Sequence, residues 1–311
     1  MRIAVVGAGA MGSVYAALLA DAGNDVVVVD RAQEHVEAIR RDGLRVEGVS
    51  GERTVRLGAV TDPADTAPAD LVVVATKAMD ASAAAASSLL LLDDDSLVLT
   101  IQNGRGSAEA VGDVVGAERL LVGVAGGFGA SLVAPGHVRH EGMELVRIGE
   151  AGGGPSARLE RVADVWRAAG FRVEACDDIE RVVWEKLICN ATFSGPCAVL
   201  DRTIGEVLSD PDAWAVASAC AREGYEVAVA LGVGLTFDDP VAHVAAFGSK
   251  IPAAYPSLVQ DLRAGRRTEI DVINGEIPRA GRAVGVAAPV NEAIASLVRA
   301  LERSAVEPET P

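Results

Sequence analysis

The stretch RIAVVGAGAMG, Arg2 to Gly12, decides how the rest of the chain is read. A short apolar run, Ile3 to Val6, leads into Gly7, Gly9 and Gly12 at the spacing G-x-G-x-x-G, and Ala10 to Ala20 continues as helix-forming sequence. One glycine makes the tight turn after a strand, one lets backbone approach a pyrophosphate, and one allows close helix packing, while the helix N-terminus offers N–H donors to the anion. Three glycines in a chain holding 33 carry little by themselves, and a purely structural turn is the competing reading. The context adds weight: Val26 to Val29 is a second apolar run and ends in an acid, Asp30, 23 positions after Gly7. A dinucleotide-binding βαβ unit follows, with Gly7, Gly9, Ala10, Met11 and Gly12 at the cofactor.

Working outward, the 311 residues suffice for two domains of ordinary size. Half of them are hydrophobic and only 4% aromatic, so Ala, Val and Leu must fill most of the core. A net charge of −16 argues against nucleic acid or anionic lipid as a partner, because both repel such a surface. Cys176, Cys189, Cys197 and Cys220 form no C-x-x-C pair and no metal-ligand spacing with the four histidines, so free thiols in a reducing cytoplasm are expected and no metal. The chain enters its first strand at once, and no apolar run approaches the roughly 20 residues that span a bilayer. The expectation is a cytoplasmic protein without a membrane segment.

Further on, Gln33 to Arg41 reads as a helix stopped by Gly43, and Leu44 to Leu57 as short extended pieces broken by Gly48 and Gly51. Leu71 to Ala75, Leu97 to Ile101 and Glu118 to Val124 read as buried strands, and Ala81 to Leu92 as a helix. This alternation predicts an α/β fold, an N-terminal Rossmann-type doubly wound parallel sheet. Gly136 to Gly149 reads as a β-ribbon closing that domain, and the glycine-rich Gly152 to Pro155 leads into a helix, Ser156 to Gly170, at the transition between domains. Beyond Asp178 helical periodicity takes over, at Ile179 to Asn190, Ala213 to Leu231, Asp271 to Val284 and Asn291 to Glu302, with Pro289 near the start of the last helix. The expected division is a dinucleotide-binding domain over 1–170 and an all-helical C-terminal domain over 171–311.

In an open α/β sheet the ligand lies beyond the carboxyl ends of the strands, which singles out Asp30 and Arg31, Thr76 and Lys77, and Gln102, Asn103 and Gly104. Asp30 and Arg31 pull in opposite directions: a carboxylate there accepts hydrogen bonds from ribose hydroxyls and favours NAD(H), whereas a guanidinium grips the 2′-phosphate of NADP(H). Arg31 can equally be a solvated loop charge, and Asn103-Gly104 a plain turn. In WEKLICNATFSGP, Trp184 to Pro196, Lys186 and Asn190 are four apart and share a helix face close to apolar packing, where a lysine is costly. SLVQDLRAGRRTEIDVING gathers Ser257, Gln260, Asp261, Thr268, Glu269 and Asp271, although Thr268-Glu269 can simply start a helix.

With GAGAMG, TKAMD, QNG at 102–104, PGHVRHEG, WEKLICN and SLVQDLRAGRRTEIDVING in this order, the chain resembles the ketopantoate reductase (2-dehydropantoate 2-reductase) family nearly end to end. The resemblance implies reduction of 2-dehydropantoate to (R)-pantoate with NADPH, a step toward pantothenate and coenzyme A. It implies Lys186 as the catalytic general acid, Glu269 as acceptor from the substrate hydroxyl, and Asn103, Asn190 and Ser257 as further substrate-binding residues. It also implies Lys77, Asn103 and Glu269 at the cofactor, a helical substrate and dimerisation domain, and a homodimer.

Two positions depart from the family pattern. Ser194 stands where members carry a second substrate-binding asparagine, which re-aims recognition of the 2-oxo acid. Asp30 precedes the arginine that matches the 2′-phosphate contact and keeps NADH open as cofactor. Two alternatives therefore stand: an NAD(P)H-dependent reductase of another 2-oxo acid or imine, and a non-catalytic dinucleotide sensor. Retention of Lys186, Asn190, Ser257 and Glu269 together speaks against the sensor, which has no need of a proton donor.

Overall fold

The structure, a computed structural model, describes residues 1–306. The chain divides into two compact units, one of residues 1–102 and 107–179, the other of residues 103–106 and 180–311, of which 180–306 are described.

The first unit runs β1 (Arg2–Val6), α1 (Ala10–Asp21), β2 (Asp25–Val29), α2 (Gln33–Asp42), β3 (Leu44–Gly48), β4 (Arg53–Val55), β5 (Gly58–Val60), β6 (Leu71–Val74), α3 (Ala81–Ser88), β7 (Leu97–Thr100), α4 (Ser107–Val115), β8 (Leu120–Gly126), β9 (Gly129–Ala134), β10 (His137–Gly142), β11 (Leu145–Glu150), α5 (Ala157–Ala168) and β12 (Val173–Cys176). Eight strands form the main sheet in the order β12-β11-β8-β7-β6-β1-β2-β5. Its central strands are unbroken apolar runs because helices cover both faces: every residue of β6 and β7 is buried. The order reverses between β1 and β6, which pair in parallel from Ile3 opposite Leu71 to Val6 opposite Val74. Their carboxyl ends therefore lie side by side and bring Gly7 next to Thr76, at the switch point where open sheets bind ligands.

The sheet is mixed rather than wholly parallel, since β11 runs antiparallel to β8. The expected ribbon over 136–149 does not form either. β10 pairs with β9 and β3, whereas β11 joins the main sheet, so the two halves of that stretch belong to different sheets. The real hairpin is β9–β10, and with β3 and β4 it makes a second, four-stranded sheet. That sheet explains α1, which lacks a polar face: α1 packs on strands of both sheets and buries eight of its twelve residues. Tyr15 of α1 meets Trp166 of α5 and both meet Phe171, with Trp166 and Phe171 ring centroids 4.9 Å apart, so these three rings form one cluster in the first unit.

The second unit is helical. It comprises α6 (Ile179–Leu200, from Glu180 onward), α7 (Ile204–Ser209), α8 (Pro211–Ala230), α9 (Pro240–Gly248), α10 (Ser257–Arg263), a 3₁₀ turn (Ile270–Val272), α11 (Glu276–Val284) and α12 (Pro289–Val306). The division expected at residue 170 falls between Ile179 and Glu180, because Val173–Cys176 adds to the first unit's sheet beside β11. α6 continues ten residues past Asn190, through Gly195 and Pro196. Those residues look like stop signals, yet at Gly195 α6 lies close against its neighbours: a Cβ there would lie 2.3 Å from Ile294 Cγ2. The helix expected over 271–284 is broken, since Asn274 turns inward and its amide donates to Ala191 O at 2.8 Å and to Asn291 Oδ1 at 3.0 Å. Among the described residues no helix is long and apolar enough to cross a membrane.

Candidate active site

In the first unit the glycine-rich turn makes a cradle whose parts are pinned from several sides. Gly7 has φ +94°, and a Cβ on it would lie 2.8 Å from Thr76 N. A Cβ on Gly12 would lie 1.9 Å from Gly7 O, so only glycine allows the turn and helix to close on each other. At Gly9, by contrast, a Cβ would meet no atom within 4 Å, so the space above that backbone is open. The N-terminus of α1 has neither a side-chain cap nor an acid in its first turn, leaving its N–H groups to an anion. Thr76 Oγ1 is buried beside the turn without a hydrogen-bond partner. Open space over Gly9, uncapped N–H donors and an unpartnered hydroxyl together fit a dinucleotide pyrophosphate.

A relay holds this turn in shape. Gly136 N–H donates to His35 Nδ1 at 3.0 Å, so His35 Nε2 carries the hydrogen toward Ser13 Oγ at 3.2 Å, and Ser13 Oγ donates to Ala8 O at 2.8 Å. Burial lowers the His35 pKa, against the nearby Asp30 charge, and so keeps the ring neutral in this role. Asp30 is committed to the same turn: Oδ2 accepts from Ala8 N at 2.6 Å and Oδ1 from Ala32 N at 2.8 Å. Arg31 points into solvent, its side chain 85% exposed and only loosely paired with Asp80 at 3.6 Å. Lys77 is half-buried just beyond β6.

In the second unit three predicted residues meet. Lys186, half-buried on α6 beside buried Leu187 and Ile188, donates from Nζ to Asn103 Oδ1 at 2.8 Å. Asn103 Nδ2 in turn donates to Glu269 Oε2 at 3.2 Å. Asn103-Gly104 is thus more than a turn; the amide bridges an amine and a carboxylate that lie 83 residues apart in sequence. Burial pulls the Lys186 ammonium from its ordinary 10.5 down to about 8, with Glu269 acting in the opposite sense. Glu269 immediately precedes the 3₁₀ turn, so Thr268-Glu269 opens only that single turn, and the helix itself starts at Glu276.

Asn190 is half-buried one turn beyond Lys186, Ser194 is buried one turn further, and Ser257 is exposed at the start of α10. None of these three side chains has a hydrogen-bond partner among the described residues, so their polar atoms remain available to a ligand. Two groups escaped the sequence reading. Arg105 bonds Glu180 and Glu276, both at 3.0 Å, and the buried Glu223 accepts from Val290 N and Asn291 N at the start of α12. An arginine between two glycines after a strand, and a glutamate in the interior of α8, were the available signals. Among the described residues no group of three or more His, Cys, Asp or Glu side chains is placed to hold a metal ion.

A pyrophosphate cradle at a sheet switch point, with a pKa-lowered amine bound to an amide and a carboxylate in a helical unit, defines a class: dinucleotide-dependent oxidoreductases. The family model described as "Ketopantoate reductase PanE/ApbA" matches residues 3–153, and its C-terminal counterpart matches residues 178–302. The 2-dehydropantoate 2-reductase of Archaeoglobus fulgidus is 35% identical over 301 residues, covering 97% of this chain and 98% of that protein. Among solved structures, a PanE/ApbA family ketopantoate reductase from Ralstonia eutropha JMP134 superposes with a TM-score of 0.91 at 33% identity, covering 99% of this chain and all of the other. A D-mandelate dehydrogenase solved with NADH and anilino(oxo)acetate gives 0.89 at 30% identity, over 98% and 99% of the two chains. The chain belongs to the ketopantoate reductase family, whose members are NAD(P)H-dependent oxidoreductases acting on 2-oxo acids.

Proposed function

We propose that the protein reduces 2-dehydropantoate to (R)-pantoate with NADPH, a step toward pantothenate and coenzyme A. The observation that carries this reading is the trio Lys186, Asn103 and Glu269. Reduced nicotinamide supplies a hydride to the 2-oxo carbon, and the carbonyl oxygen then needs a proton. Lys186 gives that proton from Nζ and stabilises the charge developing on the oxygen. Asn103 Oδ1 takes one of the three ammonium hydrogens and aims the others. Glu269 accepts from Asn103 Nδ2 and is the acceptor for the substrate hydroxyl. Asn190, Ser194 and Ser257, uncommitted within the protein, line the substrate, while Lys77 reaches the nicotinamide ribose.

Gly7, Gly9, Ala10, Met11 and Gly12 hold the pyrophosphate. The preference for NADPH rests on the division of labour at Asp30 and Arg31: the carboxylate is engaged by two backbone N–H groups, and the guanidinium stays outside to meet a 2′-phosphate. Arg31→Ala should raise KM for NADPH roughly tenfold to a hundredfold, the size of lost charge-assisted hydrogen bonds, and leave KM for NADH nearly unchanged. Equal effects on the two cofactors would remove the arginine from this role. Cytoplasmic location and a homodimer complete the proposal, the latter open to light scattering on the eluting protein.

A second reading is favoured by Ser194 and by the D-mandelate dehydrogenase neighbour. A small hydroxyl at that place leaves room for a bulkier or more apolar 2-oxo acid. Steady-state assays over a panel of 2-oxo acids with both cofactors separate the two. The proposal expects ketopantoate with NADPH to give the highest kcat/KM, and no turnover of ketopantoate would end it.

A further inference from the structure

We propose that Arg105 is a positioning residue for the proton donor: it fastens the loop Asn103–Gly106 to α6 and α11, and through Asn103 it holds the Lys186 amine in place. This rests on reading Lys186 as the general acid. The loop has glycines at 104 and 106 with φ of +79° and +95°, so its own backbone gives little stiffness. Stiffness comes from Arg105. Its N–H donates to Val272 O at 3.0 Å, its Nε to Glu180 Oε1 at 3.0 Å and its Nη1 to Glu276 Oε1 at 3.0 Å. The guanidinium also lies over Trp184, 5.5 Å from the ring centroid, and Trp184 Nε1 donates to the same Glu180 oxygen at 3.0 Å. Glu276, its side chain only 2% exposed, is fixed further by Arg279 at 2.5 and 2.8 Å.

The arrangement repeats the site one step away. Asn103 bridges Lys186 and Glu269; two residues on, Arg105 bridges Glu180, on the same helix as Lys186, and Glu276, seven residues after Glu269. One planar group thus sets the spacing of the three segments that carry the trio. Net stability is a poor rationale for placing a guanidinium here, since desolvation offsets much of the attraction in a buried ion pair. Geometry is the better rationale, because a rigid fork that stacks on an indole defines both direction and distance, which a lysine would not.

The chain contains only three lysines, Lys77, Lys186 and Lys250, so biosynthetic labelling at the lysine ε-carbon yields three resonances in the intact protein, that of Lys186 being identified by its loss in Lys186→Arg. In the native protein the Lys186 signal should titrate near 8. In Arg105→Met it should titrate upward toward 10.5 as the released loop admits water. The same variant should lose roughly tenfold to a hundredfold in kcat while KM for NADPH stays nearly constant, the pattern of a misplaced group rather than lost binding. Arg105→Lys should restore only part of this. If Arg105→Met does not fold, Glu180→Gln, at the half-exposed arm, carries the same titration. A folded variant whose Lys186 resonance titrates as in the native protein overturns the proposal. A shifted resonance together with ketopantoate turnover that survives Lys186→Ala supports the clamp and refutes the general-acid reading instead.

Discussion

Lys186→Ala should lower kcat for ketopantoate reduction by roughly 10²- to 10⁴-fold, the range of general acid catalysis, while the Kd for NADPH remains nearly unchanged. The split follows from where the residue stands. Lys186 is bonded within the helical unit to Asn103, whereas the glycine turn, Asp30 and Arg31 belong to the other unit. The pH dependence gives a second check. Only the ammonium form donates, so in the native enzyme the rate at saturating substrate should fall above about pH 8. The same amine leaves a mark on stability. Between about 8 and 10.5 the unfolded chain binds the proton that the folded chain has released, so the contribution of Lys186 to stability rises with pH across that window. Below it both states are protonated and the full cost of burying the charge is present. A kcat profile flat to pH 10, or a Lys186→Ala enzyme with native turnover, would assign proton transfer to another group.

Two alanine substitutions in the glycine turn should part company. Gly12→Ala places a methyl 1.9 Å from Gly7 O, a backbone atom that cannot step aside without opening the strand–helix junction. It should cost about 1–3 kcal/mol of stability, as overpacking does, and should also weaken NADPH binding, because the turn itself is displaced. Gly9→Ala places its methyl in open space. The melting temperature should therefore stay close to native, yet NADPH affinity should drop roughly tenfold to a hundredfold, since that space is where the pyrophosphate would approach charged-group hydrogen bonds. Thermal unfolding with and without NADPH separates the two effects. Equal Tm values for both variants would contradict the packing at Gly12, and native affinity in Gly9→Ala would move the pyrophosphate elsewhere.

The βαβ start of the chain was readable because strand, turn and helix are neighbours in sequence and each glycine has a local reason. Lys186 and Asn190 were readable for the same reason, being one helical turn apart. The second sheet was not. Its strands are three to six residues long, and β3 pairs with β10 across some ninety intervening residues, a register that periodicity cannot reveal. β9 carries exposed Leu132 and Val133 and so lacks the alternation that would have marked it. The bond from Asn103 to Glu269 spans 166 residues, and resemblance to a family brought the two together where spacing did not. Asp30 was legible by its position after β2, but not by its bonds: the carboxylate accepts from Ala8 N and Ala32 N, contacts that position in the sequence does not reveal.

Four residues of the first half pack with the second: after Gln102 the backbone contributes Asn103–Gly106 to the helical unit and then returns at Ser107. The consequence is for module exchange. A hybrid enzyme made by joining two family members near residue 180 would combine the Asn103 and Arg105 segment of one parent with the Lys186, Glu269 and Glu276 of the other. Such hybrids should fold and bind NADPH yet turn over slowly, and transplanting residues 103–106 along with the C-terminal half should recover the rate. What is inherited as one working piece in this protein is therefore interrupted in the gene.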